Sequence, residues 1–141
     1  MTIIKYGFCI ACMIGLAFYS FTLKNEEISS EPVAGKWKLV QLYPTKYDTF
    51  LYKESVQFEI EKEGMTSGFL GCNKFRTECK TSANKIHFGT LLTSRKFCNR
   101  HYMDLEDHMK ELLGSANSYT LVDSNLYLYI DNKKRADFKK E

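Results

Sequence analysis

The chain has no phosphate-cradling glycine loop, no dinucleotide-binding glycine fingerprint and no serine nucleophile elbow. Those are the short motifs by which nucleotide, hydride or acyl chemistry shows itself in a sequence. Repeats and low-complexity tracts are also missing. Proline is scarce: Pro32 and Pro44 are the only two in 141 residues, and both fall in stretches that read as connections. No excess of one charge exists either. The chain holds 20 basic and 17 acidic residues, and one of the basic ones, Lys5, sits at the extreme N-terminus, which leaves 19 against 17 over residues 24–141. So even a balance makes no electrostatic case for nucleic acid, whose binders concentrate Lys and Arg on one face. Lys133, Lys134, Arg135, Lys139 and Lys140 do cluster, but Asp131, Asp137 and Glu141 interrupt them, as expected of a solvated hairpin.

Metal-ligating and nucleophilic groups are sparse as well. His101 and His108 share a helix face but stand ~10.5 Å apart along the axis, too far for one ion. Asp104 and His108, at i and i+4, read as a surface pair. Cys72, Cys79 and the distant Cys98 are spaced too loosely for a structural zinc site. A Cys98–His101 nucleophile pair requires a free thiol at Cys98. The expectation is a domain with no catalytic residues, no metal and no cofactor.

Residues 6–23 form a run of eighteen without a charge, preceded by Lys5 and bounded on the other side by Lys24, Glu26, Glu27 and Glu31. That length is near the minimum for a helix to cross a bilayer, and the basic front end favours export of the chain beyond the run. Three fates fit: an uncleaved anchor, a lipoprotein signal with Cys12 as lipid acceptor in Cys9-Ile10-Ala11-Cys12, or a cleaved signal peptide. Each places residues 35–141 outside the cytoplasm, in a membrane-anchored or exported envelope protein. Residues 24–34, charged and containing Ser and Pro, read as a tether.

The remainder reads as one domain of short strands with a single helix. In Gly35–Tyr43, period two sets Trp37, Leu39 and Gln41 on one face, with Trp37 and Leu39 inward. Tyr43–Tyr52 is a loop. Ser55–Glu61 alternates with Val56, Phe58 and Ile60 inward, and a Lys62-Glu63-Gly64 turn leads into Met65–Gly71. Gly68 and Gly71 mark bends or close backbone approaches. Phe75–Cys79 and Lys85–Phe88 are further strands. From about Asn99 to Leu113 the period becomes helical, with Leu105, Met109, Leu112 and Leu113 on one face and Gly114 as the terminating cap. Ser118–Val122, Leu126–Ile130 and Arg135–Phe138 form a closing meander. The fold class expected is α+β: a strongly curved antiparallel sheet, a partial barrel, packed on one helix.

Several of these segments carry motifs in a fixed order. They are Gly35-Lys36-Trp37-Lys38-Leu39, the Gly71-Cys72-Asn73 turn, Ile86-His87-Phe88-Gly89, Leu91-Leu92-Thr93-Ser94-Arg95-Lys96-Phe97-Cys98, the helix from Leu105, and Leu126-Tyr127-Leu128. Together they resemble the META-domain (HslJ-like) family of small bacterial envelope proteins over roughly residues 33–139. Phe97 stands where that family often has Met, and Arg76–Cys79 replace its usual Gly-Tyr. The resemblance implies a curved antiparallel sheet on one helix, a non-enzymatic, stress-associated envelope role, and Trp37, Gly71, Asn73 and Arg95 as structural motif residues. Its two Cys positions fall on Cys72 and Cys98, which makes them the preferred disulfide, worth roughly 3 kcal/mol for a closed loop of that size. A Cys72–Cys79 bridge, or three reduced thiols, are the alternatives.

Gly35-x-Trp37 also opens lipocalin-type barrels. A sheet lined by Trp37, Phe58, Phe69, Phe88 and Tyr127 would then carry a small hydrophobic ligand. The competing expectation is that these aromatics fill the core. The partners expected are therefore the membrane, through residues 6–23, and an envelope protein or a small hydrophobic ligand.

Overall fold

The computed structural model describes residues 31–44 and 56–141. Residues 1–23 with the candidate lipid acceptor Cys12, most of the 24–34 tether and most of the loop after Pro44 lie outside the described residues. Among the described residues no helix is long and apolar enough to cross a membrane.

Among the described residues a 3-10 turn, Glu31–Val33, precedes nine strands and one helix. The strands are β1 (Gly35–Leu42), β2 (Val56–Ile60), β3 (Met65–Leu70), β4 (Lys74–Ser82), β5 (Lys85–Phe88), β6 (Leu92–Thr93), β7 (Ser118–Val122), β8 (Asn125–Ile130) and β9 (Lys133–Lys140). The helix α1 (Arg100–Ser115) lies between β6 and β7. The order β3-β2-β1-β9-β8-β7-β5-β4 returns to β3 through a β3–β4 pairing, so eight strands form a closed antiparallel ring with β6 added along β4. The partial barrel expected from sequence is thus a complete one. Closure removes every exposed edge of the ring. It turns on the β5–β7 seam, where Lys85 opposite Ser118 is the one ladder pair, supported by Tyr119 N–H to the Asn84 carbonyl at 2.9 Å and Tyr119 O–H to the Ala83 carbonyl at 3.0 Å. No local pattern announces so short a pairing.

Alternation fills the barrel. Val56, Phe58 and Ile60 on β2, and Phe75, Thr77, Cys79 and Thr81 on β4, are buried, with exposed residues between them. On β1 the alternation holds through Trp37 and Leu39 and then changes phase. A register shift against β9 between Leu39 and Gln41 turns Leu42 inward and leaves Gln41 half-buried. An extra residue in one strand of a pair has this effect. Val33, read as part of the tether, is fully buried, and its carbonyl accepts from the Trp37 indole N–H at 2.8 Å.

Gly68 stands in register between Phe58 on β2 and Phe75 on β4. A Cβ there would lie 2.2 Å from the Gln57 carbonyl oxygen and 2.5 Å from the Phe58 Cα. The missing side chain lets β3 coil tightly over β2, while the Phe58 and Phe75 rings meet edge-on at 6.1 Å. Phe58 also meets Phe138 edge-on at 5.1 Å. Of the five aromatics expected inside, Trp37, Phe58 and Phe88 are buried. Phe69 and Tyr127 are not: Gly68 and Leu70, and Leu126 and Leu128, take the inward positions, so period two sends Phe69 and Tyr127 outward. There each lies under a lysine, Lys74 over Phe69 and Lys134 over Tyr127.

Strand alternation brings Leu42, Val56, Leu70, Lys74, Ile130 and Lys133 to one mouth of the ring, and α1 crosses it. Asn99 caps the helix, its side chain accepting from Tyr102 N–H at 3.3 Å. Leu105, Met109, Leu112 and Leu113 face the barrel as their spacing predicts. Gly114 does not end the helix. It lies one residue inside the last turn with no neighbour within 4 Å, and Ala116 is the cap, its N–H donating to the Leu112 carbonyl. Burial of Ala116 and Ser118 carries the chain straight into β7, so no left-handed glycine is needed.

Candidate functional site

The densest polar arrangement joins the β3–β4 turn, the 91–98 segment and α1. Gly71 makes the turn with φ +123°, and a Cβ on it would come within 3.1 Å of the Tyr102 carbonyl and 3.5 Å of Glu106 N. This absence of a side chain lets the helix backbone close on the turn. Cys72 is joined to Cys98 by a disulfide. Asn73, buried, uses its whole side chain: Oδ1 accepts from Ser94 O–H at 2.8 Å and from Lys96 N–H at 2.7 Å, while Nδ2 donates to the Lys96 carbonyl at 3.2 Å and to Glu106 Oε2 at 3.0 Å. Its backbone N–H donates to the same Glu106 oxygen at 2.8 Å.

Glu106 is 1% exposed. Its second oxygen, Oε1, pairs with Lys110 one helical turn away at 2.6 Å. That bond, more than the opposing desolvation, raises the Lys110 pKa above its ordinary value. Both oxygens of this buried carboxylate are therefore engaged, the condition under which a buried charge is tolerated.

Sequence reasoning did not single out Glu106, although a signal existed. Glu106, Met109 and Leu113 fall at i, i+3 and i+7, so a carboxylate interrupts the apolar stripe of α1. Of the motif residues named from sequence, Trp37 lies in the core, Gly71 and Asn73 form the clamp, and Arg95 is exposed on the 94–98 loop. Cys79 is a buried free thiol whose pKa burial pushes up to about 12. His108 Nδ1 donates to the Asp104 carbonyl at 2.9 Å, and the Asp104 carboxylate pairs instead with Arg100 at 3.7 Å. The i,i+4 pair is thus a ring-to-backbone bond and not two ligands facing one point. Bonded to Cys72, Cys98 offers no thiol for His101 to activate.

Two concave surfaces flank the clamp. One, of about 180 Å³, lies at the mouth between α1 and the ends of β1 and β8, lined by Leu42, Tyr43, His108, Leu112, Ile130 and Arg135 among others. The other, of about 450 Å³, lies on the outer wall where Phe69, Lys74, Arg76, Leu92 and Ser94 surround the side-chain-free Gly68. Beside it runs the 94–98 loop, where Phe97 is 97% exposed.

No curated protein matches the chain. Three solved structures share its fold, one from Burkholderia xenovorans and one from Bacteroides vulgatus among them. An NMR structure of a protein from Burkholderia xenovorans is 17% identical with a TM-score of 0.59, over 79% of this chain and 86% of its own. The crystal structure of a DUF4847 family protein from Bacteroides vulgatus is 12% identical with a TM-score of 0.60, over 77% of this chain and 93% of its own. Identities this low speak for the fold alone. The META domain profile matches residues 30–141, from the turn before β1 to the last residue, and so spans barrel, clamp and helix; the chain belongs to the META-domain family.

Proposed function

We propose that the chain is a non-enzymatic, membrane-tethered envelope protein whose barrel is a rigid scaffold for an interaction with another envelope component, in a stress-associated role. One observation carries this reading: the Gly-Cys-Asn signature is spent on construction. The Asn73 amide, both Glu106 oxygens and both sulfurs of Cys72–Cys98 are occupied in fastening α1 to the sheet. Groups so saturated have nothing left to give a substrate. Trp37, Phe58, Phe88 and Phe138, all at most 3% exposed, fill the ring in the manner of a packed core. That supports the scaffold over a lipocalin-like carrier of a small hydrophobic ligand.

The tethering rests on residues 6–23 and Cys12. Intact mass of the protein extracted from membranes tests it. The mass of the full chain supports an uncleaved anchor, and a chain lacking residues 1–11 but carrying added acyl mass on Cys12 supports a lipoprotein, whereas a soluble species lacking residues 1–23 removes the tether. For the scaffold, titration with long-chain fatty acids followed by Trp37 emission should show no saturable change. A saturable change would favour the carrier.

A further inference from the structure

The fully exposed phenylalanine at position 97 is held in place from both sides. Immediately before it, Lys96 is bonded through its N–H and its carbonyl to the buried Asn73 amide, at 2.7 and 3.2 Å. Immediately after it, Cys98 is joined to Cys72 on the β3–β4 turn. Phe97 is therefore displayed at 97% exposure by a backbone pinned at both of its neighbours. A large apolar ring in water contributes nothing to folding stability, yet the ordering that docking requires has already been done by folding.

Its surroundings are cationic. From Gly89 to Met103 the chain holds no Asp or Glu, while Arg95, Lys96 and Arg100 are exposed. Arg95 and Lys96 make no ion pair among the described residues, and Arg100 has only the 3.7 Å contact with Asp104. On the adjoining wall, β6 pairs with β4 so that Leu92, 68% exposed, stands opposite Arg76, with Lys74 two residues before it. Leu92 and Phe97 are thus two exposed apolar side chains on segments that carry five exposed cations, Lys74, Arg76, Arg95, Lys96 and Arg100. Over residues 24–141 basic and acidic residues nearly cancel, so this acid-free stretch departs from the average of the domain.

We propose that the 92–100 face is an interfacial docking site for an anionic phospholipid bilayer. Phe97 enters the headgroup–acyl boundary, Leu92 lies against it, and Arg95, Lys96 and Arg100 engage lipid phosphates. Amphipathic insertion of this kind combines apolar burial with attraction to anionic lipid. An acidic protein surface would satisfy the cations, but it would not by itself call for a lone ring projecting from a rigid loop. The inference stands apart from any tethering by residues 6–23, and the test separates the two.

The full chain bearing Phe97→Trp is reconstituted into vesicles of phosphatidylcholine, with and without phosphatidylglycerol at about one third. Unsubstituted chain, whose only indole is the buried Trp37, supplies the background. With the anionic vesicles the added indole emission should shift to the blue and be quenched by lipids brominated on the acyl chain. Half a molar salt should largely reverse both effects. Arg95→Gln with Lys96→Gln should weaken the response about 30-fold, near fivefold for each cation, with the Trp37 signal unchanged. Tethering alone would hold the protein on both kinds of vesicle without quenching the added indole, and that result overturns the proposal. A blue shift without bromolipid quenching would mean that the ring buries against protein, and overturns it equally.

Discussion

Glu106 and Asn73 form the joint between the two layers of this protein: one carboxylate oxygen on α1 accepts both the backbone N–H and the side-chain amide of the β3–β4 turn, at 2.8 and 3.0 Å. Leu105, Met109, Leu112 and Leu113 add apolar packing, which is tolerant of sliding. This joint is directional and sets where α1 stops.

Removing either partner should therefore be costly. Glu106→Ala strands two buried donors on Asn73 and leaves Lys110 without its nearest counter-charge, and should cost about 2–4 kcal/mol. Glu106→Gln keeps an acceptor for Asn73 and should cost about half as much. Chemical denaturation of the three proteins checks the order, and equal losses for Ala and Gln would mean that the charge matters and the hydrogen bonds do not.

Gly68→Ala should destabilise strongly even though Gly68 is neither at a turn nor at positive φ. The added carbon meets backbone atoms of Gln57 and Phe58, which cannot swing aside. A loss of about 3 kcal/mol is expected, at the upper end of overpacking penalties. A thermal midpoint within a degree or two of the parent would show that β2 and β3 can part without cost.

The folded unit should begin before β1. Val33 is fully buried and its carbonyl accepts the Trp37 indole N–H, so residues 31–141 should be more stable than residues 35–141 by about 2–3 kcal/mol, the sum of one buried Val and one hydrogen bond. Urea unfolding of the two truncated chains measures the difference. Trp37→Ala should cost about 3–5 kcal/mol in either.

The thiols make a paired prediction. Reducing the Cys72–Cys98 bridge should lower stability by about 3 kcal/mol while far-ultraviolet circular dichroism is retained, because it closes a 26-residue separation. Cys79 should resist alkylation until the protein unfolds. Its folded pKa of about 12 lies above the ordinary 9.0, so the unfolded chain ionises first. The contribution is complete below pH 9 and is lost as pH rises toward 12. Lys110, also raised, weakens stability in the same alkaline direction. Cys79→Ala should flatten the decline between pH 9 and 12, and an unchanged slope would assign it to Lys110.

Much of this architecture was legible from residue order. Period two on β2 and β4, the helical face of Leu105, Met109, Leu112 and Leu113, and the bend at Gly71 are local properties, written in spacing and in the steric demands of single residues. Resemblance to a family supplied the pairing of Cys72 with Cys98, which spacing alone left open. Other features depended on who meets whom across the chain. Closure of the ring rests on one ladder pair between β5 and β7. The phase change on β1 comes from a bulge against a strand nearly a hundred residues away. Phe69 and Tyr127 went outward because the inward places belonged to their neighbours. Glu106 could be buried only because Asn73 and Lys110 arrive to satisfy it, and Phe97 could be displayed only because Asn73 and Cys72 hold its flanks. Periodicity determines which face of an element is apolar. Burial of a charge and exposure of a ring are decided by non-local partners, and those exist only once the barrel has closed.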